Sequence, residues 1–551
     1  MACRGSNSGR RHTRLREEIS ERRITTLRPD VFRIVTPARV LENFGAVFEG
    51  SQSATFKLSE DGPDAVRSDD SAVPLRESQL SDADAVFYAT QVATSVDAFL
   101  SHAWGAPRWQ KALAVYYYLN VNFAIVVSVG AWLCAAAWLI GSNGFTGMGG
   151  WDLVPFLVYA PVCLFFVCLF CGHHVRASVS SLWLDKLCIH QLNPELRLLG
   201  VSSLPEVVGA AERLCVLWSD TYFERLWCNA EVATFCALRG GAEQVDFVPL
   251  WLPPWVLLAI LLDLVCSSLC ARMSFVAPVI GEMLMDRLGA ELWVLCLVAV
   301  CACVLQHTVG YLPLVLPNYF ALTTKLREHQ GMLGQLRDFR HASAKCTVES
   351  DRPKVVEHIC GLFGEDGDDS EQAVRRFDEF MGSELATSIR AQVGAANVLP
   401  LREAFLVVMP LVYTAVAIVL ACDGQACADS ARLEMPPPPP WLGAVPAYML
   451  VNGGSYALAC LATYPATYPS MLLLVARAQT LGWPRLRAAA TVGAIILCYC
   501  LMGVGIGVSC GFVLFAVECG GWFIAAAGLW ALLLVAYLLW VTGFKLRMRS
   551  A

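Results

Sequence analysis

Apolar runs near the ~20 residues that cross a bilayer alternate with polar stretches over most of this chain. They lie at about 112–140, 153–172, 249–271, 292–316, 404–421, 444–475, 488–517 and 522–542. The pattern predicts a polytopic α-helical membrane protein with about eight transmembrane helices, the first two forming a hairpin over 112–172. Shorter apolar pieces bounded by turn residues read instead as strands, at 96–102, 178–191, 214–218 and 244–250. The stretch 213–238, RLCVLWSDTYFERLWCNAEVATFCAL, organises the rest. It predicts a buried strand (Leu214 to Trp218), a polar turn (Ser219, Asp220, Thr221) and a helix carrying Trp227, Cys228 and Glu231. A carboxylate one turn into a helix, just past a strand's carboxyl end, sits where open α/β sheets hold ligands.

Two crossings return the chain to the side it left. The strand at 96–110 and the segment 173–250 can therefore share one α/β domain, split by the hairpin. Within that segment, 200–211 predicts a loop and a helix with Pro205 in its first turn. Residues 1–92 read as a disordered basic and acidic N-terminal region. Its first 28 residues carry eight arginines against three glutamates. No apolar stretch follows, so a secretory signal peptide is not expected. A transit peptide is opposed by Glu17, Glu18 and Glu21, and a tail lying near acidic lipid is the plainer reading. The region 318–403 reads as a second polar, mostly helical segment (355–362, 371–389) without recognisable chemistry. The helices of 249–316, 404–475 and 488–542 are followed by a basic tail at 543–551.

Eight crossings place both termini, 173–249, 318–403 and 476–487 on one side. The short segments there hold Arg477, Arg485, Arg487, Lys545, Arg547 and Arg549, whereas the opposite loops hold only Arg272, Arg287 and Arg432. Loop Lys and Arg mark the cytosolic face, so both termini and the α/β domain are expected in the cytosol.

Composition supports the membrane class. The 551 residues are 56% hydrophobic and 16% charged, too apolar for an ordinary soluble chain. The net charge of -6 singles out no partner; membrane lipid is expected, nucleic acid is not. Most of the 23 cysteines stand singly in apolar runs as small hydrophobes, and no paired C-x-x-C suggests zinc. Cys422 and Cys427 open one external loop, where a disulfide and two free thiols are both open readings.

The stretch 219–232 resembles the third conserved box of Toll/interleukin-1 receptor (TIR) domains, S-x-x-Y-x-x-S-x-W-C-x-x-E-L, through Ser219, Tyr222, Trp227, Cys228 and Glu231. Arg225 stands in place of the second serine, and Val232 in place of the final leucine. VDAFLSHAWG (96–105), with Ser101, His102 and Trp104, resembles the first TIR box. WLDKLCIHQ (183–191) resembles the W-I-D-x-x-C-I-x-Q signature of heterokaryon-incompatibility domains, distant relatives of TIR domains. The resemblance covers under a fifth of the chain. It implies a flavodoxin-like parallel sheet and contacts with other TIR-like domains, self-associated or heterotypic.

It also implies a role for Glu231. Several TIR domains cleave the nicotinamide–ribose bond of NAD with this glutamate, so NAD would be a substrate, with no bound cofactor. A carboxylate there can stabilise the oxocarbenium-like ribosyl centre. The alternative is a structural carboxylate on a scaffold. Trp227 and Cys228 read as core residues anchoring helix to sheet. Asp185 and Lys186 end a strand where ligand or interface loops begin. His102 and the pair His173, His174 suggest no metal, since adjacent histidines do not share a helix face.

Asp263 lies near mid-depth in the third apolar run, where a carboxylate is functional by default; the plainer reading is a protonated side chain hydrogen-bonded inside the bundle. His307 lies nearer the cytosolic end, too far for clear direct pairing. Asn452 starts a polar break, Asn-Gly-Gly-Ser, in the sixth run. Gly503, Gly507 and Gly511 repeat every four residues, which suits close helix packing. A transporter or channel regulated by the α/β domain is thus the second functional reading.

Overall fold

The computed structural model describes residues 31–49, 77–143, 153–175, 181–239, 241–274, 292–346, 349–364, 368–393, 401–420 and 454–509, with the single positions 511, 528 and 531. The chain divides into two compact units. The first draws on 1–119, 173–253 and 331–392, the second on 120–172, 254–330 and 393–551.

The first unit is built on strands β1 (Arg33–Ile34), β2 (Gln91–Val92), β3 (Val96–His102), β4 (Leu182–Trp183), β5 (Ala211–Trp218) and β6 (Val245–Pro249). Four of them form a parallel sheet in the order β4-β3-β5-β6. Leu214 to Trp218 are all buried, as expected for a strand covered on both faces. The chain winds from β3 to β4 on one side, then crosses to β5 and β6 on the other. That is the winding of flavodoxin-like sheets, with its switch point between β3 and β5. Phe99 of β3 stacks on Trp183 of β4 at 4.4 Å. Asp246 of β6 takes a bidentate bond from Arg213 of β5 at 2.7 and 2.6 Å.

The segment 178–191 is not the long strand expected. Among its described residues only Leu182 and Trp183 are extended, and the helix Asp185–Cys188 follows at once. The outer edge of β4 is instead closed by the N-terminal segment. Val35 and Leu182 exchange both backbone hydrogen bonds at 2.8 Å, which caps an exposed sheet edge.

This also corrects the expectation of disorder over 1–92. The helices Pro37–Gly45 and Glu77–Tyr88 and the antiparallel pair β1–β2 are folded onto the sheet unit. Buried Arg33 holds them: its guanidinium donates to the carbonyls of Phe87 and Thr90 at 3.3 and 3.0 Å and lies 4.4 Å from the Phe87 ring. His190 meets Asp84 at 2.8 Å. Residues 1–30 and 50–76 lie outside the described residues.

A second correction concerns 318–403. The segment 331–392 belongs to the same unit as the sheet. Its helices Arg352–Phe363, Ser370–Phe380 and Ala386–Val393 are pinned through Lys345, which donates to Glu224 Oε2 at 2.8 Å, and whose carbonyl accepts from the Leu226 amide at 3.0 Å.

The second unit is helical. Arg108–Leu139, Pro155–Val175, Leu252–Cys270 and Pro484–Ser509 are long and apolar enough to cross a membrane. The helices around Val300–Gly310 and Leu312–Arg337 meet at a 58° bend and make a fifth crossing if taken as one. The expected spans at 404–421 and 444–475 hold the helices Leu401–Leu420 and Gly454–Gln479. The one at 522–542 lies outside the described residues except for 528 and 531, as do Asn452, Cys422 and Cys427. Close packing at the glycines is real: a Cβ on Gly503 would stand 2.7 Å from Val304 Cα, and one on Gly507 2.8 Å from Val300 Cα. Polar side chains bond between helices, as Asn120 Nδ2 does to the Leu169 carbonyl (2.8 Å) and Gln306 Nε2 to the Cys270 carbonyl (2.8 Å).

Asp263 is fully buried. It accepts from Tyr311 Oη at 2.8 Å and from the Leu411 amide at 3.2 Å. The Tyr311 ring also stacks on the His307 imidazole at 6.4 Å, and His307 Nδ1 lies 2.8 Å from the Cys303 carbonyl.

Candidate active site

The strands deliver their carboxyl ends to one place. β3 ends at Ser101 and His102. β5 ends at Trp218, and the polar turn that follows leads through Tyr222 into the helix Leu226–Arg239. That helix carries Glu231 back over the switch point, where Ser101 Oγ donates to Glu231 Oε2 at 2.5 Å and meets Tyr222 Oη at 2.5 Å. Tyr222 is fully buried, so the three groups form a chain from the core to the surface. An open cleft of about 120 Å³ lies against Glu231, lined among others by His102, Trp104, Asp185, Arg225, Trp227 and Cys228.

Burial dominates the electrostatics. Desolvation pushes the Glu231 carboxyl up from 4.5 to about 8; the Ser101 hydrogen bond opposes this and the nearby Asp185 charge adds to it. Desolvation also raises Asp185, against the bonds from Trp104 Nε1 (2.7 Å) and from the Lys186 amide (2.7 Å). His102 is driven well below its ordinary range by burial, then by the charges of Lys111 and Lys186. It is therefore a neutral imidazole, with Nδ1 3.8 Å from Asp185 and Nε2 without a hydrogen-bond partner among the described residues. Phe48 packs edge-on against it at 5.4 Å.

Most residues expected at the site are brought together there; Cys228 is buried as expected, and the others are placed as follows. Trp227 is half-buried on the cleft wall rather than in the core. Cys228 is buried, its Sγ 3.7 Å from the His102 carbonyl, and burial raises its thiol well above the ordinary range, which makes it unreactive. Ser219 stays in the turn, 3.3 Å from Thr221 Oγ1. Asp185 and Lys186 begin a helix rather than end a strand; Lys186 Nζ turns to the Glu49 carbonyl at 3.1 Å.

Four contributors were not anticipated. Arg197 lines the cleft from the helix Pro194–Ser202, and Asp351 from the far segment 349–364. Lys111 is wholly buried and donates to the Trp104 carbonyl at 3.0 Å. His358 reaches Thr234 Oγ1 at 2.8 Å. Of these only His358 left a signal: it shares the face of Val355, Ile359 and Leu362 in an amphipathic helix.

Among the described residues no group of three or more His, Cys, Asp or Glu is arranged to hold a metal. Arg197 and Arg225 can bind an anionic group, Asp185 and Glu231 can accept from hydroxyls, and Trp104 and Trp227 can pack on a flat ring. No family model, curated protein or solved structure matches this chain.

Proposed function

We propose that the sheet unit is a cytosolic TIR-like domain of a multi-pass membrane protein, and that it cleaves NAD at the nicotinamide–ribose bond. The observation that carries this reading is the position of Glu231: in an open cleft, at the switch point of a flavodoxin-like parallel sheet, hydrogen-bonded to Ser101 of the neighbouring strand end. In the reaction the C1′–N bond breaks and its electron pair leaves with nicotinamide. Water adds to C1′ and releases a proton, giving ADP-ribose. The ionised Glu231 stabilises the positive ribosyl centre between these events. Ser101 favours that ionised form, and Tyr222 holds Ser101 in place. Arg197 and Arg225 suit the diphosphate.

The test is NAD consumption by the full-length protein in nanodiscs over a range of concentrations, because TIR-type catalysis is expected to need assembly. Nicotinamide release that disappears in Glu231→Ala supports the reading. A folded wild type that releases none at any concentration rules it out.

One observation favours a second reading, a transporter or channel: buried Asp263 bonded to Tyr311 at the 58° bend between two helices. Broken helices beside an intramembrane carboxylate recur at ion-coupled sites. Solute flux in liposomes that is lost in Asp263→Asn, with NAD untouched, would establish it.

A further inference from the structure

Glu231 borders two spaces. The second, of about 290 Å³, shares Trp227 and Glu231 with the first and is otherwise walled by Leu198, Val208, Val355 and His358. The two spaces differ in character. The first holds Arg197, Arg225, Asp185 and Asp351, whereas the second is mostly apolar, with Lys354 as its charged side chain besides Glu231.

The histidine in this second space bonds Thr234, whose Oγ1 lies 2.6 Å from the Ala230 carbonyl and 2.8 Å from His358 Nε2. With the hydroxyl proton on the carbonyl, Thr234 accepts from His358 Nε2–H and Nδ1 is left as an acceptor. Burial lowers the His358 pKa, so the ring stays neutral near pH 7.

The geometry points to this second cavity as the leaving-group site, where the segment 331–392 receives nicotinamide and His358 Nδ1 accepts from its carboxamide N–H. The inference rests on the NAD-cleavage reading and adds a product site to it. The chemistry of departure matches the walls. The pyridinium is cationic while bonded to ribose and neutral once the bond has broken. An apolar space disfavours the first form and accepts the second, so it assists the bond-breaking step rather than substrate binding. The neutral His358 accepts an N–H that an imidazolium would oppose.

The test is direct binding of free nicotinamide and of 3-acetylpyridine, which lacks the amide N–H, to the full-length protein in nanodiscs by saturation-transfer NMR. Wild type is expected to prefer nicotinamide by about tenfold, the worth of one ordinary hydrogen bond. His358→Ala is expected to lose that preference and to leave 3-acetylpyridine binding unchanged. Leu198→Trp adds bulk at an exposed rim position of the cavity and is expected to abolish binding of both. Nicotinamide binding that is absent in wild type, or unchanged in His358→Ala and Leu198→Trp, overturns the assignment. NAD turnover is read separately. An amide preference that depends on His358, without turnover in wild type, keeps the site and removes the cleavage reading; turnover with nicotinamide binding indifferent to His358 does the reverse.

Discussion

Ser101 and Glu231 lie 130 positions apart in the chain and meet at 2.5 Å. The bond joins the end of the first long strand to the helix after β5, across the switch point of the sheet. It is one of the few interactions that favour a charged Glu231 in a place where burial favours the neutral form.

That balance sets the pH dependence of any reaction needing the carboxylate. With Glu231 at about 8, kcat/KM for NAD should rise about tenfold per pH unit below that value and level off above it. Ser101→Ala removes the bond that holds the group down, so the rising limb moves to higher pH. Activity at pH 7 should fall about tenfold while the alkaline plateau is largely kept. A profile flat from pH 6 to 9 would remove Glu231 from the chemistry.

Glu231 also links stability to pH. Its folded value is raised above 4.5, so the folded protein holds a proton that the unfolded chain has released between about 4.5 and 8. Stability is therefore highest below that window and falls as pH rises through it. Glu231→Gln cannot ionise. Its Tm in detergent should exceed that of wild type by a margin that grows from pH 5 to pH 8. An equal margin at both ends would contradict the raised value.

Arg33 is the staple of the N-terminal segment. Arg33→Ala leaves the Phe87 and Thr90 carbonyls without these donors and removes the guanidinium from the Phe87 ring. The cost should be roughly 2–4 kcal/mol, concentrated in residues 77–92. Hydrogen exchange should show faster exchange there, with the amides of β5 unchanged.

In the helical unit, Gly503→Leu forces a side chain against the Val304 backbone and should lower the melting temperature in detergent by several degrees. Gly493→Ala, in the same helix but with nothing within 4 Å of the added Cβ, should leave it unchanged or slightly raise it.

Much of the site was legible because its pieces are local. The strand Leu214 to Trp218, the turn after it and the helix bearing Glu231 follow one another, and apolar runs, turn residues and helix period mark each of them. Ser101 at the end of β3 was legible for the same reason. Lys111 and Asp351 were not, because burial of a lysine beside Trp104 or approach of a distant helix start has no local signature. The segment 178–191 misled because its apolar residues suit a strand, while only Leu182 and Trp183 pair with β3 before the chain turns into a helix.

The sequence by itself determined which stretches are apolar enough to cross a membrane, that the apolar piece Leu214 to Trp218 is a strand, and which helix carries the carboxylate. Side-chain period and hydrophobicity are properties of neighbours in the chain, and they act before any long-range contact forms. Only the tertiary structure decided that residues 31–49 close the edge of β4, that 331–392 join the sheet unit, and that Glu231 borders two cavities with different charged linings. Those outcomes depend on which distant surfaces bury one another best, a choice made by packing and desolvation between segments more than a hundred residues apart.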